Sequence, residues 1–367
     1  GAGPPRGQRQ PPTGAPARQP LIHGCRSVDH FERLDRIEEG SYGVVYRARD
    51  KATREIVALK RVKLSREACA NGFPITALRE TCVLMTLRHE NIVSVREMVV
   101  GDSQDQIFMV MACFDHDLKT CVQRHEGPLS QADMKCIAAQ LLAAVDHMHA
   151  NFFVHRDIKT SNVLYNDDGR LALCDFGLAR RLDTTEEMTN NVVTLWYRAP
   201  ELLLGATTYD TSLDMWSVGC VLAELLLKKP VFSGHSEMEQ LSEIFKVLGV
   251  PDEDRWPGFK DLPVAASVRF KQKKKNRLRE KFPAVGFGAT TTTPLTSEGY
   301  SLLDGLFSLD PARRTTAAAA ARHPYFAEAP RQTPRHLMEL RVADKDLKLR
   351  DAANAQPPSP PAPEGRA

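Results

Sequence analysis

The sequence predicts an α+β chain whose strands come first and whose helices follow. From Phe31 onward apolar residues fall on alternating positions, through Leu34, Ile37, Val44, Val45 and Tyr46 and then the run Ile56, Val57, Ala58, Leu59. That period of two puts one face of a strand on a core. Beyond residue 130 the period changes. Met134, Ile137, Ala138, Leu141, Leu142, Val145 and Met148 recur at helical spacing over residues 131–151, and a second strongly apolar helix is expected from Ser212 to Leu227. With 367 residues and 42% hydrophobic side chains, the chain is long enough to fill the core of one two-lobed domain with tails.

Residues 1–24 read as a Pro/Arg-rich tail. Six prolines in the first 20 positions and almost no large apolar side chains leave too little surface to bury against the entropy of ordering. Between the first two strands, Glu38-Glu39-Gly40-Ser41-Tyr42-Gly43-Val44 is a turn whose two glycines let the backbone approach a bound group closely. Alone, such a turn is more often a plain hairpin. Lys60 follows Gly43 by seventeen positions and ends the next strand-like run. Pro74 then opens a helical pattern (Ala77, Leu78, Cys82, Leu84, Met85) at a position where its missing N–H costs little. Glu80 lies on that helix, where a lone Glu is usually a solvated charge. Ile107-Phe108-Met109-Val110-Met111 is expected to be a buried strand, followed by a linker over residues 112–114.

His147 and His149 stand two positions apart and so on different helix faces, which suits packing or surface roles better than metal ligation. Asp214, inside the second apolar helix, would need backbone donors if buried. The one dense basic run, Lys271-Gln272-Lys273-Lys274-Lys275-Asn276-Arg277-Leu278-Arg279, reads as a solvated loop, with nuclear import or anion docking as the minority reading. Residues 286–296, with four consecutive threonines, look like an inserted loop, and the alanine run 317–321 has good helix propensity. Residues 331–367 turn polar and then Pro-rich, and are expected to be a largely disordered extension.

The chemistry concentrates in two segments. His155-Arg156-Asp157-Ile158-Lys159-Thr160-Ser161-Asn162 is followed, thirteen residues after Asn162, by Asp175-Phe176-Gly177. Together they supply what phosphoryl transfer from a magnesium nucleotide needs: an Asp to meet the acceptor hydroxyl, a Lys beside the moving group, and an Asn and an Asp to hold metal.

On these residues the chain resembles the eukaryotic protein kinases over roughly residues 25–330. Gly72-Phe73-Pro74-Ile75-Thr76-Ala77-Leu78-Arg79-Glu80 and Val192-Val193-Thr194-Leu195-Trp196-Tyr197-Arg198-Ala199-Pro200-Glu201 narrow the likeness to the cyclin-dependent kinases. Gly24-Cys25-Arg26-Ser27-Val28, Arg36-Ile37-Glu38-Glu39-Gly40 and Asp115-His116-Asp117-Leu118-Lys119 are most similar to the PITSLRE branch, whose members pair with L-type cyclins. The helix spelling also resembles the elongation kinase that pairs with T-type cyclins.

The resemblance implies a bilobal kinase fold: a β-rich N-lobe over about residues 31–111, a hinge at 112–114 and a helical C-lobe over about 115–326. It implies ATP and Mg2+ as cofactors. Lys60 would bind the phosphates and pair with Glu80. Ile37, Gly40, Gly43, Val45, Ala58 and Leu164 would line the nucleotide, Ala112 and Phe114 would offer hinge backbone groups, Met111 would stand behind them, and Asp117 would accept a ribose hydroxyl. Asp157 would contact the substrate hydroxyl, Lys159 would steady the transferring group, and Asn162 and Asp175 would hold the metal. Carboxylates are weak bases at neutral pH, so positioning must outweigh deprotonation. Thr189 matches the activating phosphorylation site, served by a separate activating kinase, with Arg79, Arg156 and Arg180 converging on its phosphate. Ser41 and Tyr42 match inhibitory sites, Val192 and Val193 shape a pocket for Pro after the target Ser or Thr, and Arg314 would brace Glu201. A cyclin, most similar to the L type, would push the Pro74 helix inward, and the setting would be nuclear.

Glu38 departs from the usual glycine turn. A misdirected carboxylate about 6 Å from a phosphate would cost about 1–3 kcal/mol, so it is expected to point to solvent. The net charge of +3, from 49 basic and 46 acidic residues, provides no global field toward nucleic acid or membrane. Eight scattered cysteines without a CxxC pair argue against a zinc site or a disulfide framework. No apolar run reaches about 18 residues, so neither membrane insertion nor secretion is expected. The rival readings are a cyclin-binding pseudokinase scaffold, a cyclin-independent proline-directed kinase and, ranked well below, a nucleic-acid-binding module on the basic run.

Overall fold

Alternating apolar residues build the first sheet. The computed structural model describes residues 25–40, 43–62, 75–101, 106–182, 193–270, 275–283, 294–338 and 340. Within them β1 (Arg26–Ser27), β2 (Phe31–Gly40), β3 (Gly43–Asp50), β4 (Ile56–Arg61), β5 (Val95–Val100) and β6 (Ile107–Ala112) hydrogen-bond in the order β1-β5-β6-β4-β3-β2. Ala48, Val57, Leu59, Val99, Phe108 and Val110 bury one face of this sheet. β1 runs parallel to β5 at the edge. It is pinned there by Arg26, which reaches Asp50 at 3.0 Å and Glu97 at 2.9 Å and lies over the Phe31 ring. One helix, α1 (Ile75–Thr86), packs beside the sheet and sends Val83 and Leu84 into the large core.

Helices make up the second region: α2 (Leu118–Arg124), α3 (Gln131–Ala150), α4 (Pro200–Leu203), α5 (Ser212–Leu227), α6 (Glu237–Leu248), α7 (Pro263–Ser267), α8 (Leu278–Lys281), α9 (Ser297–Leu306) and α10 (Ala317–Ala321). Ser130, Ser236 and Thr296 cap α3, α6 and α9 by accepting from Asp133, Glu239 and Gly299 backbone N–H groups, which satisfies donors no helix can pair internally. α5 is buried nearly all round, and its Trp216 packs against Phe232 and Phe307 with ring centroids 5.8 and 5.1 Å away. Below it Arg314 forks onto Glu201 at 2.7 and 2.9 Å, both side chains buried. Between the two regions lie short ladders: β7 (His116–Asp117), β8 (Phe153–Val154), β9 (Val163–Tyr165), β10 (Leu171–Leu173) and β11 (Arg180–Arg181), paired as β10-β9-β7 and β11-β8.

Past residue 330 the described chain does not leave the domain. Thr333 bonds to the start of α3, and Met338 and Leu340 are buried in the main core. The 1–24 tail, Pro74, residues 271–274 of the basic run and most of the Thr-rich loop lie outside the described residues. Among the described residues, no helix is long and apolar enough to cross a membrane.

Candidate active site

The sheet, α1 and the Asp175 turn meet at one ammonium. Lys60 lies on β4, its backbone paired with Val45 and Met109. Its Nζ donates to Glu80 Oε1 at 2.6 Å and lies 3.4 Å from Asp175 Oδ1. Burial alone would lower the Lys60 pKa, but Glu80 and Asp175 outweigh it and hold the ammonium above the usual lysine range. Asp175 adopts a left-handed conformation, φ 63°. Phe176 beside it is fully buried, edge-on to His155 with centroids 4.7 Å apart.

The loop from His155 to Asn162 hangs from Asp214. Its Oδ2 accepts the His155 N–H and bonds to His149 Nε2, and its Oδ1 accepts the Arg156 N–H, all at 2.9 Å. Burial would raise the Asp214 pKa, yet His149 and the loop donors hold it below the usual aspartate value. His149 therefore does more than the packing or surface role its spacing suggested, whereas His147 stacks on His89 at 5.0 Å. His155 accepts the Asp157 N–H at Nδ1, leaving Nε2 to donate to the Cys174 carbonyl. The two signature segments are thus tied by one imidazole tautomer, and also by the Cys174 N–H donating to Asn162 O at 2.9 Å.

Asp157 is held on both oxygens. Oδ2 accepts from Lys159 Nζ at 2.7 Å and Asn162 Nδ2 at 3.1 Å; Oδ1 accepts the Thr194 N–H at 3.2 Å and its hydroxyl at 2.9 Å. Lys159 also donates to Thr194 Oγ1 at 3.2 Å. Thr194 is a residue of this cluster to which its place in the 192–201 motif assigns no role. Its hydroxyl fixes Asp157 and Lys159 together from the far side.

At the far end of the sheet's first hairpin, β2 and β3 close with Gly40 opposite Gly43. Gly43 has φ +146°, and a Cβ there would sit 2.3 Å from the Arg61 carbonyl, so the turn requires glycine. Ala58 pairs with Met111 across the ladder. Val93, Phe114 and Ala172 are buried, and Met111, Ala112, Leu164 and Cys174 pack against them as an apolar floor under the linker. Ile37 is half-buried on β2. Asp117 caps α2, accepting the Thr120 N–H at 2.9 Å on one carboxylate oxygen and its hydroxyl at 2.6 Å on the other. Burial pushes the Cys113 thiol up, which disfavours the reactive thiolate.

A nucleotide with a divalent cation fits these residues. Asn162 commits its NH2 to the Asp157 backbone and carboxylate, which by elimination leaves its carbonyl oxygen as the outward donor atom. With Asp175 it forms a small, hard oxygen set of the kind Mg2+ shares with phosphates and water. The Gly40 and Gly43 turn and Lys60 would supply a cradle for its phosphates.

Of the residues expected to regulate, Arg156 has φ 67° and donates to the Leu178 carbonyl and the Tyr209 hydroxyl, both at 2.7 Å. Arg180 lies on β11 against β8. Thr189, Ser41, Tyr42 and Val192 lie outside the described residues, as do the side chains of Arg79 and Glu38. Val193 stands in a left-handed conformation, φ 68°, its carbonyl accepting from Arg198 Nη2 at 2.9 Å and Nε at 3.3 Å.

Known proteins resemble this chain in sequence and fold. The protein kinase domain family matches residues 31–326. Cyclin-dependent kinase G-2 of Oryza sativa subsp. indica is 49% identical over 342 residues, 93% of this chain and 47% of that one. Cyclin-dependent kinase 11B of Rattus norvegicus is 46% identical over 316 residues, 86% of this chain and 70% of that one. The chain spans about half the length of the rice relatives it matches. Among solved structures, a chain of the yeast RNA Pol II CTD kinase CTDK-1 complex superposes with a TM-score of 0.75 at 35% identity, covering 89% of this chain and 100% of that one. With a kinase-domain match across most of its length and the Lys60, Asp157, Asn162 and Asp175 cluster assembled, the chain belongs to the protein kinase family and, within it, to the cyclin-dependent kinases.

Proposed function

We propose that the chain is a cyclin-dependent serine/threonine kinase moving the γ-phosphoryl group of Mg-ATP onto Ser or Thr followed by Pro, in the nucleus and in the service of transcription, RNA processing or the cell cycle. The carrying observation is Asp157, locked on both oxygens beside Lys159 and Asn162. Asp157 accepts the acceptor hydroxyl and orients it. Lys159, 2.7 Å away, puts a positive charge beside the oxygens that gain charge as the phosphoryl group moves. Lys60, fixed by Glu80, holds the nucleotide phosphates. A bound cation would neutralise charge on the phosphate oxygens, held by Asn162 and Asp175.

Val193 supports the proline preference. Its carbonyl is taken by Arg198, so an ordinary residue after the target would leave a backbone N–H unpaired there, a cost proline avoids by having none. The names of the relatives support a cyclin partner, and branch likeness favours the L type. The name of the yeast neighbour, an RNA Pol II CTD kinase, supports a transcriptional setting. Phosphate on Thr189 would be met by Arg79, Arg156 and Arg180.

The test is transfer from Mg-ATP to a Ser-Pro-rich peptide, with and without an L-type cyclin, against Asp157→Asn. Activity that needs both the cyclin and Asp157 supports the proposal. Activity without cyclin that still needs Asp157 indicates a cyclin-independent proline-directed kinase, and none despite cyclin binding and Thr189 phosphorylation indicates a scaffold.

A further inference from the structure

We propose that the chain from Glu328 to Leu340 is a positioning strap for Asn162 and Asp175, gripping from outside the hairpin on which both stand. The proposal rests on the reading that these two residues hold the cation.

The hairpin is β9 and β10. β9 begins at the residue after Asn162, and β10 ends two residues before Asp175. Three paired residues make up its whole ladder, too little backbone pairing to fix two ligands by itself. On its inner side Gln140 and Asn91 hold it: Gln140 donates to Gly169 O at 3.0 Å and accepts the Leu171 N–H at 3.0 Å, and Asn91 donates to Leu171 O at 2.7 Å.

The strap holds the other side. At the turn, Gly169 meets it backbone to backbone: a Cβ on Gly169 would lie 1.8 Å from the Arg335 carbonyl oxygen. At the strand, the Tyr165 hydroxyl donates to Met338 O at 3.2 Å. Tyr165, Met338 and Leu340 are all buried. The strap is itself anchored to α3. The Lys135 side chain is fully buried and donates to the Glu328 and Pro330 carbonyls at 3.0 and 2.8 Å, over the Tyr325 ring. Thr333 donates its N–H to Ala132 O at 3.1 Å and its hydroxyl to Asp133 at 2.6 Å. A buried ammonium satisfied by these carbonyls, with the Glu328 carboxylate 3.8 Å away, fixes where that segment lies, because misplacing it would strand the charge. The path of force is thus continuous: α3, Lys135, strap, hairpin turn, then the two metal-holding side chains.

A strap that only stabilised the fold would lower the melting temperature and leave the folded protein's cation affinity alone. A positioning strap changes that affinity, since metal donors lose affinity when their supporting contacts go.

The experiment measures Mn2+ binding in the presence of ADP, by the electron-paramagnetic signal of free Mn2+, below the melting temperature of every protein used. Truncation after Leu340 removes none of these contacts and is expected to bind as the full chain does. Truncation after Pro334 removes the Gly169 and Tyr165 contacts and is expected to weaken Mn2+ about tenfold, with affinity for metal-free fluorescent ADP unchanged. Should that shorter chain not fold, Lys135→Met in the full chain releases the anchor and is expected to weaken Mn2+ in the same direction. Unchanged Mn2+ affinity in the folded variants would overturn the strap, provided Asn162→Ala and Asp175→Ala do weaken binding. If those two leave it unchanged, the metal-site reading itself fails and takes the strap's role with it.

Discussion

Lys60 donates to Glu80 at 2.6 Å within the single chain, with both side chains more than nine-tenths buried. The pair ties α1 to β4, so the placement of the helix and that of the ammonium are set together. Glu80→Gln keeps the shape and removes the charge. It is expected to lower kcat/KM for ATP about ten- to a hundredfold, the loss of one charged hydrogen bond in a buried site.

Much of this was legible because long elements announce themselves. α5 spans Ser212–Leu227, as its apolar run predicted, and α3 covers the expected helix to within one residue. Lys60, Glu80, Asp157, Asn162 and Asp175 come together because a fixed order along the chain encodes a fixed geometry. The short ladders were not legible: strands of two or three residues, such as β7 to β11, carry no period to read. β1 depends on Arg26 reaching two acids far away in sequence. The grip of His149 on Asp214 and of Thr194 on Asp157 depends on contacts across 65 and 37 positions. The polar composition of the strap predicts a tail, whereas two buried residues, Met338 and Leu340, fasten it.

Arg198 is expected to control the residue after the target. It holds the Val193 carbonyl with two donors, and it also pairs with Glu237. Arg198→Met would free that carbonyl to accept a substrate N–H. The preference for Ser-Pro over Ser-Ala peptides, as a ratio of kcat/KM, is expected to fall about tenfold, equivalent to about 1.4 kcal/mol and within the cost of one unpaired buried group. An unchanged ratio would place the preference elsewhere.

Arg314 and Glu201 form a bidentate pair, with the guanidinium also donating to the Ser212 carbonyl and lying over Trp216. Removing one partner strands the other charge. Arg314→Ala is expected to destabilise the fold by about 3–5 kcal/mol, read as a shift in urea midpoint with little change in slope. Activity per folded molecule well below the melting point is expected to survive, since neither residue touches the Asp157 cluster. Loss of activity without loss of stability would contradict a bracing role.

Arg26 sets an acid limit on the β1 edge. Its hydrogen bond holds the Asp50 carboxyl down at about 2, below the usual aspartate value near 3.8, with the Ala52 and Thr53 N–H groups assisting against burial. A carboxyl depressed in the folded state stabilises it above the unfolded value, because the unfolded chain takes up the proton first as pH falls. That contribution is complete above about pH 4 and is lost progressively toward about pH 2. Arg26→Met removes the main cause of the depression. Its melting temperature is expected to lie below that of the parent at pH 6, with a gap that stays constant down to about pH 4 and narrows below it. A gap independent of pH across that window would mean that Arg26 acts through packing on Phe31 or through Glu97 rather than through Asp50.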